Sequence, residues 1–224
     1  MRLAVFDLDN TLLAGDSDHL WGEFLVGEGL VDGETHAREN DRFYEAYKAG
    51  TIDMAAYCAF ALGPVVQHGV AKMSALLPRF VSSVIEPIVA EGAPALLERH
   101  RAQGDALVIT TATNRFVTEP IAELLGIREL IATDPEVVDG RMTGRIAGTP
   151  NFREGKLTRL AQWRSRQPQE FTSVTAYSDS HNDLPLLRSA DQPIAVDPDP
   201  ILRAEAQRRA WRVISLRTKM PSLA

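Results

Sequence analysis

Asp7 and Asp9 bracket Leu8 directly after "RLAVF", an apolar run that reads as a buried β-strand. Thr11 follows two residues later. Two carboxylates this close repel each other and lose hydration when buried, so the pattern needs a compensating cation. Other strand ends carry matching chemistry. Thr111 in "ITTATNR" sits at a strand-to-helix junction, where a hydroxyl and free backbone N–H groups suit a phosphate. Lys156 lies near the start of a helical pattern, and "SDSHND" adds Asp179, Asn182 and Asp183 after a late strand. One carboxylate of the opening pair can attack an electrophile while the other trades a proton with the leaving group. Asp179 can complete a hard-oxygen site for Mg²⁺. Lys156 supplies the fixed positive charge that a phosphoryl group and an attacking carboxylate both need. Together these parts describe phosphoryl transfer through an aspartyl-phosphate.

Short β-rich runs predict strands at 2–6, 106–112, 129–133, 173–178, 193–196 and 211–215. Helical patterns occupy 93–104, 115–126, 153–167 and 198–211, with Gly104 and Gly126 at expected C-termini and Asp199-Pro200 at a helix start. The alternation predicts an α/β fold with a doubly wound parallel sheet covered on both faces. "EVVDGRMTGRI" (136–146) reads as a β-hairpin turning at Asp139-Gly140. Residues 15–85 break the rhythm: helical patterns run through them without a convincing strand. The expected organisation is therefore a catalytic core of 1–14 and 86–224 with a helical cap of 15–85 inserted after the first strand. Ligands in open α/β sheets bind beyond the carboxyl ends of the strands, where the polar residues above fall.

The chain has 224 residues and 45% hydrophobic residues, enough for a core domain with a smaller companion. Its net charge of −6 argues against a nucleic-acid or anionic-membrane surface as the main partner. Cys58 is the only cysteine, which excludes an internal disulfide and a thiolate zinc cluster. A cytoplasmic setting is expected, with neither a signal peptide nor a membrane span. The five histidines show no metal-ligand spacing.

"DLDNT", "ITTAT", the lysine of "REGK" and "SDSHND" resemble, in order, the four motifs of the haloacid dehalogenase-like hydrolase superfamily. The insert after the first motif resembles the type 1 cap of its phosphoserine-phosphatase-like branch, and "FDLDNTLLAGDSD" is similar to bacterial histidinol-phosphatases of that branch. The resemblance covers essentially the whole chain. It implies that Asp7 is the nucleophile and Asp9 the general acid/base, with Asp7, the Asp9 backbone carbonyl and Asp179 holding Mg²⁺. It implies phosphate binding by Thr111, with Thr110 and Thr113 as the neighbouring alternatives, and by Lys156, with Asn182 nearby and Asp183 as the supporting acid. Asp16 falls where relatives contact a substrate ammonium, although it equally suits a helix N-cap. Arg115 can meet a substrate carboxylate or simply a surface acid. Tyr57, Phe60 and Leu62 read as cap core.

The implied function is Mg²⁺-dependent hydrolysis of a small phosphorylated metabolite bearing an amine, such as phosphoserine or histidinol phosphate. The expected assembly is a monomer or homodimer, with no nucleic acid or membrane as partner. Two alternatives use the same parts: a phosphotransferase with an alcohol acceptor, and a non-enzymatic phospho-switch resembling a receiver domain. A receiver carries its phosphorylated acid after a later strand, and here no aspartate ends the second one.

Overall fold

The computed structural model describes residues 1–218. β1 (Arg2–Phe6) is followed by a tight turn in which Asn10 adopts φ 55°, a left-handed conformation that asparagine tolerates. A helical region comes next: α1 (Ser17–Gly27), α2 (Gly33–Lys48), α3 (Met54–His68), α4 (Val70–Ser74) and α5 (Leu77–Phe80), with short turns continuing to Ile88. Asp16, Asp32 and Asp53 cap α1, α2 and α3 by accepting backbone N–H bonds. Then follow α6 (Ala93–Ala102), β2 (Ala106–Asn114), α7 (Arg115–Leu124), β3 (Glu129–Thr133), β4 (Pro135–Val138) and β5 (Arg141–Ile146). α8 (Glu154–Ser165), β6 (Ser173–Ser178), α9 (Leu184–Ser189), β7 (Gln192–Val196), α10 (Pro200–Arg208) and β8 (Arg212–Ile214) complete the described chain.

Six parallel strands form one sheet in the order β3-β2-β1-β6-β7-β8, which places β1 at its centre between β2 and β6. Both faces are covered, and this explains why four consecutive residues of β1 are buried rather than every second one. Leu3 and Val5 pack with Leu160, Leu186 and Leu202 on one side. Ala4 and Phe6 face Leu96, Ile121 and a cluster reaching Trp21, Leu25 and Phe80 in the inserted helices. The insert therefore shares hydrophobic core with the sheet. Trp21 stands edge-on to Phe80 with centroids 5.0 Å apart and lies 6.3 Å from the Phe116 ring of α7.

The chain leaves the sheet and returns to it at one neck. Leu13 pairs antiparallel with Val89, Ala90 N–H donates to Leu12 O at 2.9 Å, and Arg217 binds the Leu13 and Asn10 carbonyls at 2.9 Å each. The β4–β5 hairpin turns at Asp139 and Gly140, both with positive φ, and β5 lies against α3.

The expected strands and main helices are present, with three differences. β2 runs on to Asn114, because the asparagine side chain then caps α7 by accepting from Val117 N–H at 3.2 Å. The "SDSHND" segment leads into α9, a short helix whose capping geometry carries no strong sequence signal. The last cap pattern divides into α4 and α5, the second opening with Pro78 in its first turn, where the missing N–H costs no helical bond.

Candidate active site

Leu8 is completely buried in the core, and the turn at Asn10 brings the flanking acids Asp7 and Asp9 to one cavity. The cavity lies between the sheet edge and the inserted helices. Asp7, Asp9, Asp16, Thr111, Ala112 and Thr113 form its floor and rim, while α1–α3 and the Ile52 loop close over them.

Asp7 continues β1, its N–H donating to Tyr177 O at 2.9 Å. Its Oδ1 accepts from Lys156 Nζ at 2.8 Å, and the same ammonium donates to Asp183 Oδ2 at 2.7 Å. Ser178 Oγ also donates to Asp183 Oδ2 at 2.7 Å, fixing the brace. All three charged side chains are almost completely buried. Burial alone would push the Lys156 ammonium down. The Asp183 and Asp7 charges outweigh it and hold the group above its usual range. Burial raises Asp7 to about 7 even against the pull of Lys156, with Asp183 and Asp9 adding repulsion.

Asp9 is held differently. Its Oδ1 accepts from Ser17 N–H at 2.6 Å at the start of α1, and its Oδ2 accepts from Thr113 Oγ1 at 2.8 Å, with Thr111 Oγ1 at 3.4 Å. Burial, then the nearby Asp16 charge, lifts it to about 6, the range in which a carboxyl can both give and take a proton. Thr111 lines the cavity and accepts from Thr113 N–H at 3.1 Å. Behind them Asn151, buried, donates to Thr110 Oγ1 and to the Thr111 and Ile131 carbonyls, which stiffens this end of β2.

Asp179 and Asp7 converge on Thr11. Its hydroxyl donates to Asp179 Oδ1 at 3.0 Å, with Asp7 Oδ2 at 3.4 Å, and accepts from Asp179 N–H at 3.1 Å. Burial, followed by repulsion from Asp7 and Asp183, pushes Asp179 well above the carboxylate range. This crowding of anions fits a cation. Among the described residues no three Asp, Glu, His or Cys side chains converge as a ligand cluster. Two carboxylates with backbone oxygen and water is instead the sparse donor set that Mg²⁺ takes.

Asn182 and Tyr57 depart from expectation, and Arg115 takes the second of its two readings. Arg115 is not on the cavity: it pairs with Asp134 at 2.6 Å and with the Leu130 carbonyl at 3.1 Å, because the first turn of α7 faces β3. Asn182 is also taken up, its amide donating to Tyr47 O at 3.0 Å and accepting from Arg153 Nε at 3.1 Å. Tyr57 is a cavity residue rather than cap core, whereas Leu62 is core and Phe60 stacks on His36. Asp16 caps α1 through Oδ1, the second of its two readings, and it also lines the cavity.

Sequence reasoning missed Asn40, Tyr44, Tyr47 and Arg153. The spacing of Phe43, Tyr44 and Tyr47 along α2 is a one-face helical signal that could have marked the wall. Arg153 had none, since its reach depends on φ 51° at that residue.

A family model described as haloacid dehalogenase-like hydrolase matches residues 4–188. A histidinol-phosphatase of Neisseria meningitidis serogroup C (strain 8013) is 39% identical over 220 residues, covering 96% of this chain and 99% of its own. A phosphoserine phosphatase of Mycobacterium tuberculosis (strain ATCC 25618 / H37Rv) is 31% identical, covering 96% and 70%. A solved protein of unknown function from Bordetella pertussis Tohama I superposes with TM-score 0.90 at 45% identity, covering 96% and 98%. A substrate-bound phosphoserine phosphatase shares the fold, with TM-score 0.70 at 18% identity over 97% and 93% of the two chains. The chain belongs to the haloacid dehalogenase-like hydrolase family. Within it the chain is a phosphoric monoester hydrolase of the phosphoserine- and histidinol-phosphatase-like branch.

Proposed function

We propose that the chain is a cytoplasmic, Mg²⁺-dependent phosphomonoesterase that cleaves a small amine-bearing ester through an aspartyl-phosphate on Asp7. One observation carries the reading: Asp7 is buried, fixed at 2.8 Å by Lys156, and shares its cavity with Asp9, a carboxyl poised near 6. Relatives named histidinol-phosphatase and phosphoserine phosphatase support an amine-bearing substrate.

In the first step an Asp7 oxygen attacks phosphorus and the bond from phosphorus to the leaving oxygen breaks. Asp9 donates its proton to the departing alkoxide. In the second step the Asp9 carboxylate takes a proton from water as that water attacks phosphorus. Phosphate leaves and Asp7 is regenerated. Thr113 and Ser17 N–H keep the Asp9 carboxyl oriented through both transfers, while Thr111 and Lys156 meet phosphoryl oxygens. Asp183 holds the lysine in place. Mg²⁺ held by Asp7, the Asp9 carbonyl and Asp179 would neutralise the phosphoryl charge that these crowded acids otherwise repel.

Residues 15–85 act as the lid in this account. α1–α3 cover the cavity and exclude bulk water, and the neck at Leu13 and Val89 is the natural place for motion. Phosphate release from phosphorylated metabolites with Mg²⁺, compared between wild type and Asp7→Asn, tests the reading. We expect turnover only in the wild type, and turnover in the amide variant would overturn it.

A further inference from the structure

The part of the cavity facing away from Asp7 has a chemistry of its own. Phe43, Tyr44, Tyr47 and Tyr57 supply four aromatic walls, and Asp16 and His19 supply polar groups at the rim. Among the described residues, none that lines the cavity is a lysine or an arginine. The cations close to it are already engaged. Lys156 is shared between Asp7 and Asp183, Arg153 is bound to Gly50 O and Asn182, and Lys48 pairs with Glu45 on the exposed side of α2.

Asp16 adds a free acceptor. Both backbone donors at the start of α1, Asp18 N–H at 3.1 Å and His19 N–H at 2.9 Å, go to the one oxygen Oδ1. Oδ2 has no hydrogen-bond partner among the described residues. Negative potential and aromatic faces both favour a cation, and both disfavour a second anion.

We propose that the leaving-group end of this cavity selects a cationic ester without a carboxylate, held by Asp16 Oδ2 and the aromatic walls. This rests on the phosphomonoesterase reading above and narrows it. A substrate bearing an α-carboxylate, such as phosphoserine, brings a buried negative charge that finds no cationic partner here. An amino-alcohol phosphate lacking that group keeps its ammonium contact and avoids the repulsion. A flat or apolar body on the leaving group would lie against Tyr44 and Tyr57.

The test compares kcat/KM, with Mg²⁺ present, for O-phosphoserine, its methyl ester and the N-acetyl derivative of that methyl ester. p-Nitrophenyl phosphate serves as the uncharged reference. The methyl ester differs from phosphoserine only in having its carboxylate masked. We expect it to be preferred by about 100-fold, the scale set by an unpaired buried charge, and acetylating the amine to remove most of that preference. Asp16→Asn should shrink the ratio between the methyl ester and its N-acetyl derivative. Tyr44→Arg, which installs a carboxylate partner, should move preference toward phosphoserine. Equal kcat/KM for phosphoserine and its methyl ester would overturn the inference while leaving the phosphatase reading intact. Failure to hydrolyse p-nitrophenyl phosphate and all three serine esters would instead overturn the phosphatase reading, and the inference with it.

Discussion

Lys156 Nζ lies 2.8 Å from Asp7 Oδ1, and both side chains are shut off from solvent, although Lys156 starts 149 residues further along the chain. One ammonium between two carboxylates, Asp7 and Asp183, is a buried ion triad with a net negative charge. Such a group is held by mutual dependence, because removing the central charge leaves two uncompensated acids in low dielectric. Lys156→Met should therefore lose activity and also destabilise the fold by about 3–5 kcal/mol. Thermal unfolding with and without the substitution checks this. An unchanged Tm would show that the triad does not hold the site together.

The cation reading gives a second expectation. EDTA should abolish activity and Mg²⁺ restore it. Because a cation that binds only the folded state stabilises it by mass action, Mg²⁺ should also raise Tm. In Asp179→Asn that Tm increment should largely vanish. Calorimetry at increasing Mg²⁺ separates this from a purely catalytic effect, and an equal increment in the variant would contradict the assignment of Asp179.

Much of this site was legible because its chemistry is local in sequence. Asp7, Asp9, Lys156, Asp179 and Asp183 each follow a strand or open a helix, and Thr111 lies near the carboxyl end of β2, so strand prediction gathers them on one rim. Lys156 meets both Asp7 and Asp183, and the catalytic roles of these residues are a proposal. Arg115 was ambiguous because an arginine in a first helical turn points according to the helix's rotation, which depends on how α7 packs on β3. Asn182 went elsewhere for a related reason. Its partners, Tyr47 O and Arg153, belong to segments 135 and 29 residues distant, and no short-range pattern encodes that meeting. The fold itself was readable to within a few residues at most ends, because a sheet buried on both faces writes near-continuous apolar runs.

The same contacts suggest a latch. Arg153 donates to Gly50 O at 2.6 Å and to Asn182 at 3.1 Å, while Asn182 donates to Tyr47 O, so the end of α2 is fastened to the sheet side of the cavity. Gly50 has φ 69°, and a Cβ there would collide with the Arg153 guanidinium. Arg153→Ala, Asn182→Ala and Gly50→Ala should each raise KM about ten-fold through a loosened lid, roughly the worth of one or two hydrogen bonds. Combining the first two should give less than the product of their effects, because both fasten one closure. If Asn182 instead contacted phosphate, its variant alone would weaken product inhibition by inorganic phosphate.

Asp18 provides a test in stability. Burial, with added repulsion from Asp16, raises its carboxyl to about 8, and one oxygen has no partner. The folded chain thus keeps a proton that the unfolded chain, with the ordinary 3.8, gives up between those values. This group's contribution is complete below about pH 4 and is lost as pH rises through about 8. Asp18→Asn, neutral throughout, should gain on wild type steadily as pH rises from about 4 to about 8, so its advantage should be larger at pH 8.5 than at pH 5. Melting curves at the two pH values decide it. A difference that does not change with pH would show that Asp18 does not take up a proton on folding.

The account rests most heavily on a covalent phosphoryl group at Asp7. Asp9→Asn should slow the second step, while p-nitrophenyl phosphate, whose leaving group needs no proton, still completes the first. Mixing that variant with p-nitrophenyl phosphate and Mg²⁺, quenching in acid and sequencing the peptides by mass spectrometry should therefore find the N-terminal peptide phosphorylated at Asp7. The label should be labile to hydroxylamine, as an acyl phosphate is, and absent when Asp7 is replaced by Asn. A phosphoryl group on any other residue, or turnover that survives Asp7→Asn, would contradict the mechanism.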